Sequence, residues 1–98
     1  MDRAALIHEY HKRFSDGARV DIIIWRLSYI STERPHGLKY RLNYCLADGS
    51  ILVRYDNKKG KADHKHIEGV QLLYEFSSIR QLLLDFKTDV RKQGGRIW

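Results

Sequence analysis

Two histidines set two residues apart, His64 and His66, close a polar run from Tyr55, YDNKKGKADHKH, which also holds two aspartates, one asparagine and four lysines. On an extended backbone the side chains at i and i+2 point to the same side, so both imidazoles would face one surface. Such a pair suits RNA cleavage. One ring accepts the 2′-OH proton, the other protonates the leaving oxygen, and a neighbouring cation stabilises the charge on the phosphorane. Free imidazole titrates at about pH 6.5, so one ring can hold a proton while its neighbour lacks one. Lys61 is the candidate for the phosphate charge, with Gly60 supplying a turn that brings it toward the rings. Asp56 or Asp63 would orient an imidazole.

The same residue types support other readings. His-x-His with Asp56 or Asp63 offers nitrogen and oxygen ligands of the kind zinc or manganese accepts. Four lysines beside them would repel a cation, so neither a metal nor another cofactor is expected. Gly60-Lys61 lacks the GxxxxGK[ST] spacing of a phosphate loop, and Ala62 stands where a hydroxyl would be needed. Taken singly, the lysines fit a solvated loop, Asn57 a turn cap, and Asp56 a surface ion pair with Arg41. It is their combination with the two imidazoles that points to chemistry. His8, His11 and His36 have no partner spacing and are read as ordinary surface or core histidines.

The elements that must position this run are legible on either side of it. Asp48-Gly49 lies between apolar-rich segments and predicts a hairpin, because a two-residue type I′ turn needs φ > 0 at both central positions. A two-residue loop there pairs Leu46 with Ile51, Tyr44 with Val53 and Leu42 with Tyr55, an apolar ladder that makes Tyr55 a core residue. The opposite face carries Lys39, Arg41, Asn43 and Cys45 against Leu52, Arg54 and Asp56, with Arg41 opposite Asp56.

Asp16-Gly17 predicts a second hairpin onto the strand VDIIIWRL (20–27), pairing Lys12 with Asp21, Tyr10 with Ile23 and His8 with Trp25. Leu6, Tyr10 and Phe14 also recur at helical spacing, but the turn chemistry favours a strand. STERPHG is a loop, and QLLYEF (71–76) a last short strand. Ser78 with Gln81 opens a helix whose apolar stripe is Ile79, Leu82, Leu83, Phe86 and Val90, and Gly94-Gly95 ends it. The expected fold is α+β, an antiparallel sheet of four to five strands with one face under the C-terminal helix and the other wet. Lys39, Arg41 and Arg54 on that wet face, with Asn57, Lys58, Lys59 and Lys65 from the polar run, are the candidates for holding an RNA backbone.

Composition sets the outer bounds. A 98-residue chain with 43% hydrophobic residues is read as one domain, residues 1–98, able to bury a modest core. Eighteen Lys and Arg against twelve Asp and Glu give a net charge of +6, which favours a polyanionic partner. Cys45 is the single cysteine, so no internal disulfide forms and a reducing compartment fits. No apolar run approaches the roughly 20 residues of a membrane span, and the N-terminus has no signal-peptide core, so a cytoplasmic protein is expected. Leu84 lies off the helix stripe and, with the Arg96–Trp98 tail, is the candidate surface for a protein partner.

The run around the histidines resembles the signature of the TumE-type toxins of type II toxin–antitoxin pairs, RYDN-x-x-GK-x-(D/H)-H-x-H. It matches at Arg54, Tyr55, Asp56, Asn57, Gly60, Lys61, Asp63, His64 and His66. The likeness extends upstream through Asp16, Gly17, Ala18, Val20, Ile24 and Trp25, and through His36, Gly37, Lys39, Tyr40, Arg41 and Leu42. Downstream it takes in Tyr74, Phe76, Ser77, Leu82, Leu83, Asp85, Phe86 and Val90. Lys58 stands where the family commonly has an acid, and Ala62 where it has glycine. The resemblance implies a growth-inhibiting toxin held in check by a cognate antitoxin with a helix-turn-helix DNA-binding domain. It names no target, so the ribonuclease reading rests on the residues and on analogy with other small basic toxins.

Overall fold

The computed structural model describes residues 4–32, 34–58 and 62–96. Lys59, Gly60 and Lys61 of the polar run and Ile97 and Trp98 of the tail lie outside the described residues. Six strands, β1 (Ala4–Arg13), β2 (Arg19–Leu27), β3 (Leu38–Cys45), β4 (Ile51–Asp56), β5 (His64–Ile67) and β6 (Val70–Leu73), precede helix α1 (Ile79–Lys92). They form one antiparallel meander in the order β1-β2-β3-β4-β5-β6. The architecture is the α+β sheet-and-helix expected, with six strands rather than four to five. The additional strand is β5, which carries both histidines. Its residues HKHI lack the apolar alternation that marks a half-buried strand, and its turn to β6 is Glu68-Gly69 rather than Asn-Gly or Asp-Gly. Both turn residues have φ > 0, at 49° and 84°, as a type I′ hairpin requires.

The first Asp-Gly hairpin forms, so residues 4–13 are strand and not helix, but one residue out of the expected register. Lys12 pairs with Val20, Tyr10 with Ile22 and His11 with Asp21. Phe14 and Ala18 close a three-residue loop in which Gly17 takes φ +87° and donates to the Phe14 carbonyl. A Cβ on Gly17 would lie 2.6 Å from the Ala47 Cβ, so the glycine is required by space as well as by conformation. In the second hairpin Tyr44–Val53, Leu42–Tyr55 and Arg41–Asp56 pair as expected. Ile51 faces Cys45 rather than Leu46, because the loop again holds three residues and a bulge follows it.

Period-2 alternation divides the sheet into two unlike faces. Val20, Ile22, Ile24, Tyr40, Leu42, Tyr44, Val53 and Tyr55 are buried on one side, where α1 lays Leu82, Phe86 and Val90 chiefly against β4. Burying the Phe86 ring contributes about 2–3 kcal/mol. The Ser78 side chain caps the helix by accepting from the Gln81 amide at 3.0 Å. The Gln81 side chain turns to Asp85 instead of completing a capping box. Gly94 and Gly95 end α1 by donating back to the Arg91 and Val90 carbonyls. Three tyrosine and lysine contacts bolt helix to sheet: Tyr55 Oη donates to Asp89, Lys65 Nζ lies 2.9 Å from Asp89, and Tyr74 Oη donates to Asp85 at 2.6 Å. Burial first, and these carboxylates second, push the Tyr55 and Tyr74 hydroxyls far above the ordinary phenol value, so both remain neutral donors.

Candidate functional site

The face away from α1 is the wet one. Across it the register lines up two rows of side chains: Asp21, Asn43, Arg54 and His66 in one, Ile23, Arg41, Asp56 and His64 in the other. The two histidines sit side by side as their spacing requires, with ring centroids 5.1 Å apart in an edge-on arrangement. Their environments differ. His64 is 4% exposed, and its Nδ1 faces the Ala62 carbonyl at 2.9 Å, which makes Nδ1 the protonated nitrogen. Its Nε2 lies 2.8 Å from Asp56 Oδ1. That approach is poorly directed for a hydrogen bond, and the buried Oδ1 has no other donor. Both ring nitrogens of His64 therefore face oxygen atoms of the protein. His66 is half-buried beside Arg54 on the neighbouring strand and makes a ring contact with His64.

A cleft of about 370 Å³ opens on this face, lined by Ile23, Trp25, Arg34, Lys39, Tyr40, Arg41, Asp56 and Lys58. Four of its lining side chains are cationic and one is anionic. Arg54 extends the basic surface toward His66 and donates to Asn43 Oδ1 at 2.8 Å. The upstream candidates Lys39, Arg41 and Arg54 thus share a face with both histidines and Asp56. Lys58 joins them at the rim.

Three other described residues of the polar run, Lys65, Asp63 and Asn57, are placed elsewhere. Lys65 alternates to the helix face, where it pairs with Asp89 and covers the Tyr55 ring. It thus lies on the sheet face opposite to its two neighbours. Asp63 accepts from Tyr40 Oη at 2.9 Å and lies 2.8 Å from His36 Nε2, away from His64. That leaves Asp56 as the carboxylate beside the imidazole pair. Asn57 is fully buried and acts as a surrogate strand residue: Oδ1 accepts from the Tyr40 amide and Nδ2 donates to the Leu38 carbonyl. Among the described residues no three His, Cys, Asp or Glu side chains converge on a point that would hold a metal ion.

Of the described signature residues, Arg54, Asp56, His64 and His66 share the wet sheet face, while Tyr55, Asn57 and Asp63 are held within the fold. The family model described as toxin TumE matches residues 3–94. The chain belongs to the TumE toxin family. It is the toxin of a toxin–antitoxin system, and a cognate antitoxin is its partner. No curated protein and no solved structure matches it. No helix among the described residues is long and apolar enough to cross a membrane.

In this TumE-family toxin, two residues not among the sequence candidates, Arg34 and His36, brace the site; only His36 carried a signal, as a matched position of the family likeness. Arg34, 4% exposed, donates through Nε and a terminal nitrogen to the Asn57 carbonyl at 3.0 and 2.8 Å, and so clamps the segment leaving β4. Its charge has no carboxylate partner among the described residues, and it lines the cleft. His36 is not idle either. Its Nδ1 accepts from the Leu38 amide, so Nε2 carries the proton and donates to Asp63, while the Phe76 ring packs against it at a tilt, centroids 4.2 Å apart. Both nitrogens are occupied, which makes His36 a brace for Asp63 rather than a reagent. Neither partner could be found from spacing, since Arg34 and Asn57 are separated by 23 residues and His36 and Asp63 by 27.

Proposed function

We propose that the toxin stops growth by cutting RNA in the cytoplasm without a metal ion, and that its antitoxin carries a helix-turn-helix DNA-binding domain. The observation that carries the reading is the contact of His64 and His66 on the same basic sheet face as Asp56, Arg41 and Arg54. His66, whose nitrogens are the less encumbered, takes the proton from the 2′-OH. The 2′ oxygen bonds to phosphorus and the bond from phosphorus to the 5′ oxygen breaks. His64 in its protonated form, with Asp56 beside its Nε2, supplies its proton to the departing oxygen. Arg41 and Arg54 stabilise the phosphorane charge. Lys61 is a further candidate for that role, from outside the described residues. The fragments end in a 2′,3′-cyclic phosphate and a 5′-hydroxyl.

The test is expression of the toxin alone, with RNA 5′ ends mapped before and after induction. New ends that must be phosphorylated before ligation are expected, insensitive to EDTA. His66→Ala and Asp56→Asn should each slow cleavage by roughly 10²–10⁴-fold with the circular dichroism spectrum retained. A second reading, a non-catalytic toxin that blocks a translation or replication component, is favoured by the engagement of both His64 nitrogens within the protein. Full toxicity in the His64→Ala/His66→Ala double variant would establish it. Loss of cleavage on adding EDTA, restored by metal, would instead make the enzyme a metal-dependent nuclease.

A further inference from the structure

The cleft contains one feature that phosphate binding does not use. Trp25 stands on β2 on the face that α1 leaves uncovered, half-buried, between Leu6 and Lys39 on the adjoining strands. Lys39 Nζ lies 5.4 Å from the centre of its ring. Ile23 lies beside it in the same cleft, and Arg34, Arg41, Lys58, Tyr40 and a single carboxylate, Asp56, complete the lining. An indole and an aliphatic side chain set among four cations form a stacking surface inside a phosphate-attracting field. That combination recognises an unpaired base with its backbone, because every base has a π-face and only a single strand can present it. A folded core does not need the ring there, since the apolar core lies on the opposite side of the sheet.

We infer that Trp25, flanked by Lys39, is the platform on which this toxin stacks a base of a single-stranded polynucleotide. The inference rests on the RNA reading above and names the form of RNA taken. Trp25 on β2 and His66 on β5 are three strand spacings apart across the sheet, about 14 Å, and their rows are four residues apart along the strands, about 13 Å, so roughly 19 Å separates them. The stacked base therefore does not adjoin the cleaved phosphate but sits further along the same strand, and the chain between them crosses Arg41 and Arg54.

The experiment uses the full chain carrying Trp98→Phe, so that Trp25 is the sole indole. Its fluorescence is followed while a single-stranded 2′-deoxy oligonucleotide, which offers no 2′-OH and is not cut, is added. The same titration is made with a blunt duplex and with heparin, a polyanion without bases. Binding of each is measured independently by anisotropy or competition. The single strand should quench the emission strongly, whereas heparin should bind without quenching and the duplex should quench little. In the otherwise unaltered chain, Trp25→Ala should weaken single-strand binding by roughly tenfold or more, and Trp25→Phe, which keeps a ring, by much less. Single-strand binding without quenching, or equal binding by Trp25→Ala with its thermal transition intact, overturns the platform and leaves the RNA reading standing. Wild-type protein that neither binds nor cuts single strands overturns both.

Discussion

At the scale of single residues, the alternation of a strand decides more than composition does. His64, Lys65 and His66 are consecutive, yet the two rings share the wet face while Lys65 is committed to Asp89 beneath the helix. The same alternation that brings the histidines together separates Lys65 from them. That consequence was legible from the outset. Asn57 was not, because its role depends on groups of a distant strand. A polar residue after a hairpin reads as a turn cap or a ligand contact, but here it supplies the hydrogen bonds by which β3 continues past the end of β4. Replacing it by alanine strands a buried amide and a buried carbonyl, and should cost about 2–5 kcal/mol. Urea unfolding of Asn57→Ala checks this; a loss below about 1 kcal/mol would mean that water takes over both partners. His11 shows the opposite case, an exposed ring whose affinity for its proton is raised by hydrogen bonds to Glu9 first and Asp21 second. It decorates the edge of the sheet without entering the cleft.

At the scale of elements, the hairpin around Asp48-Gly49 and the helix from Ser78 were readable because each carries its own local signal, turn chemistry for one and a capped apolar stripe for the other. What local signals do not carry is loop length. Both Asp-Gly turns close with three residues rather than two, and that shift set Tyr10 opposite Ile22 instead of Ile23. The β5–β6 hairpin was hidden by its turn. Glu68 adopts φ 49°, a conformation in which a side chain is penalised and asparagine is better tolerated. Glu68→Asn should therefore stabilise the protein by about 0.5–1 kcal/mol, seen as a higher urea midpoint with an unchanged slope. An unaltered or lower midpoint would show that the Glu68 side chain has a compensating role. Because this turn sets the register of β5 against β6, the substitution also tests whether the position of the histidines depends on it.

At the scale of the molecule, two faces of one sheet divide the labour. One is apolar and sealed by α1; the other gathers Lys39, Arg41, Arg54 and Lys58 around the cleft and the histidines. Part of the net charge of +6 is thus concentrated on one sheet face rather than spread evenly. Single-strand affinity should fall with salt at a slope of about −0.7 per phosphate engaged. Arg41→Ala should reduce that slope by about 0.7, while a neutral substitution of Lys65, on the other face, should leave it unchanged. Equal changes from both would mean that the sheet faces do not differ in their hold on the backbone.

The meander order has a consequence for how the toxin comes into being. Each strand pairs with the strand just made, so closing each hairpin orders only a short loop and assembly can follow synthesis step by step. The seal over Val20, Leu42 and Tyr55 comes only with α1, the element that follows all six strands. At ribosomal speeds of about 5–20 residues per second, the 14 residues of that helix take roughly one to three seconds to be made. During that interval the nascent sheet presents an unsealed oily surface, and a chaperone, or an antitoxin arriving early, meets a target that vanishes once the helix docks.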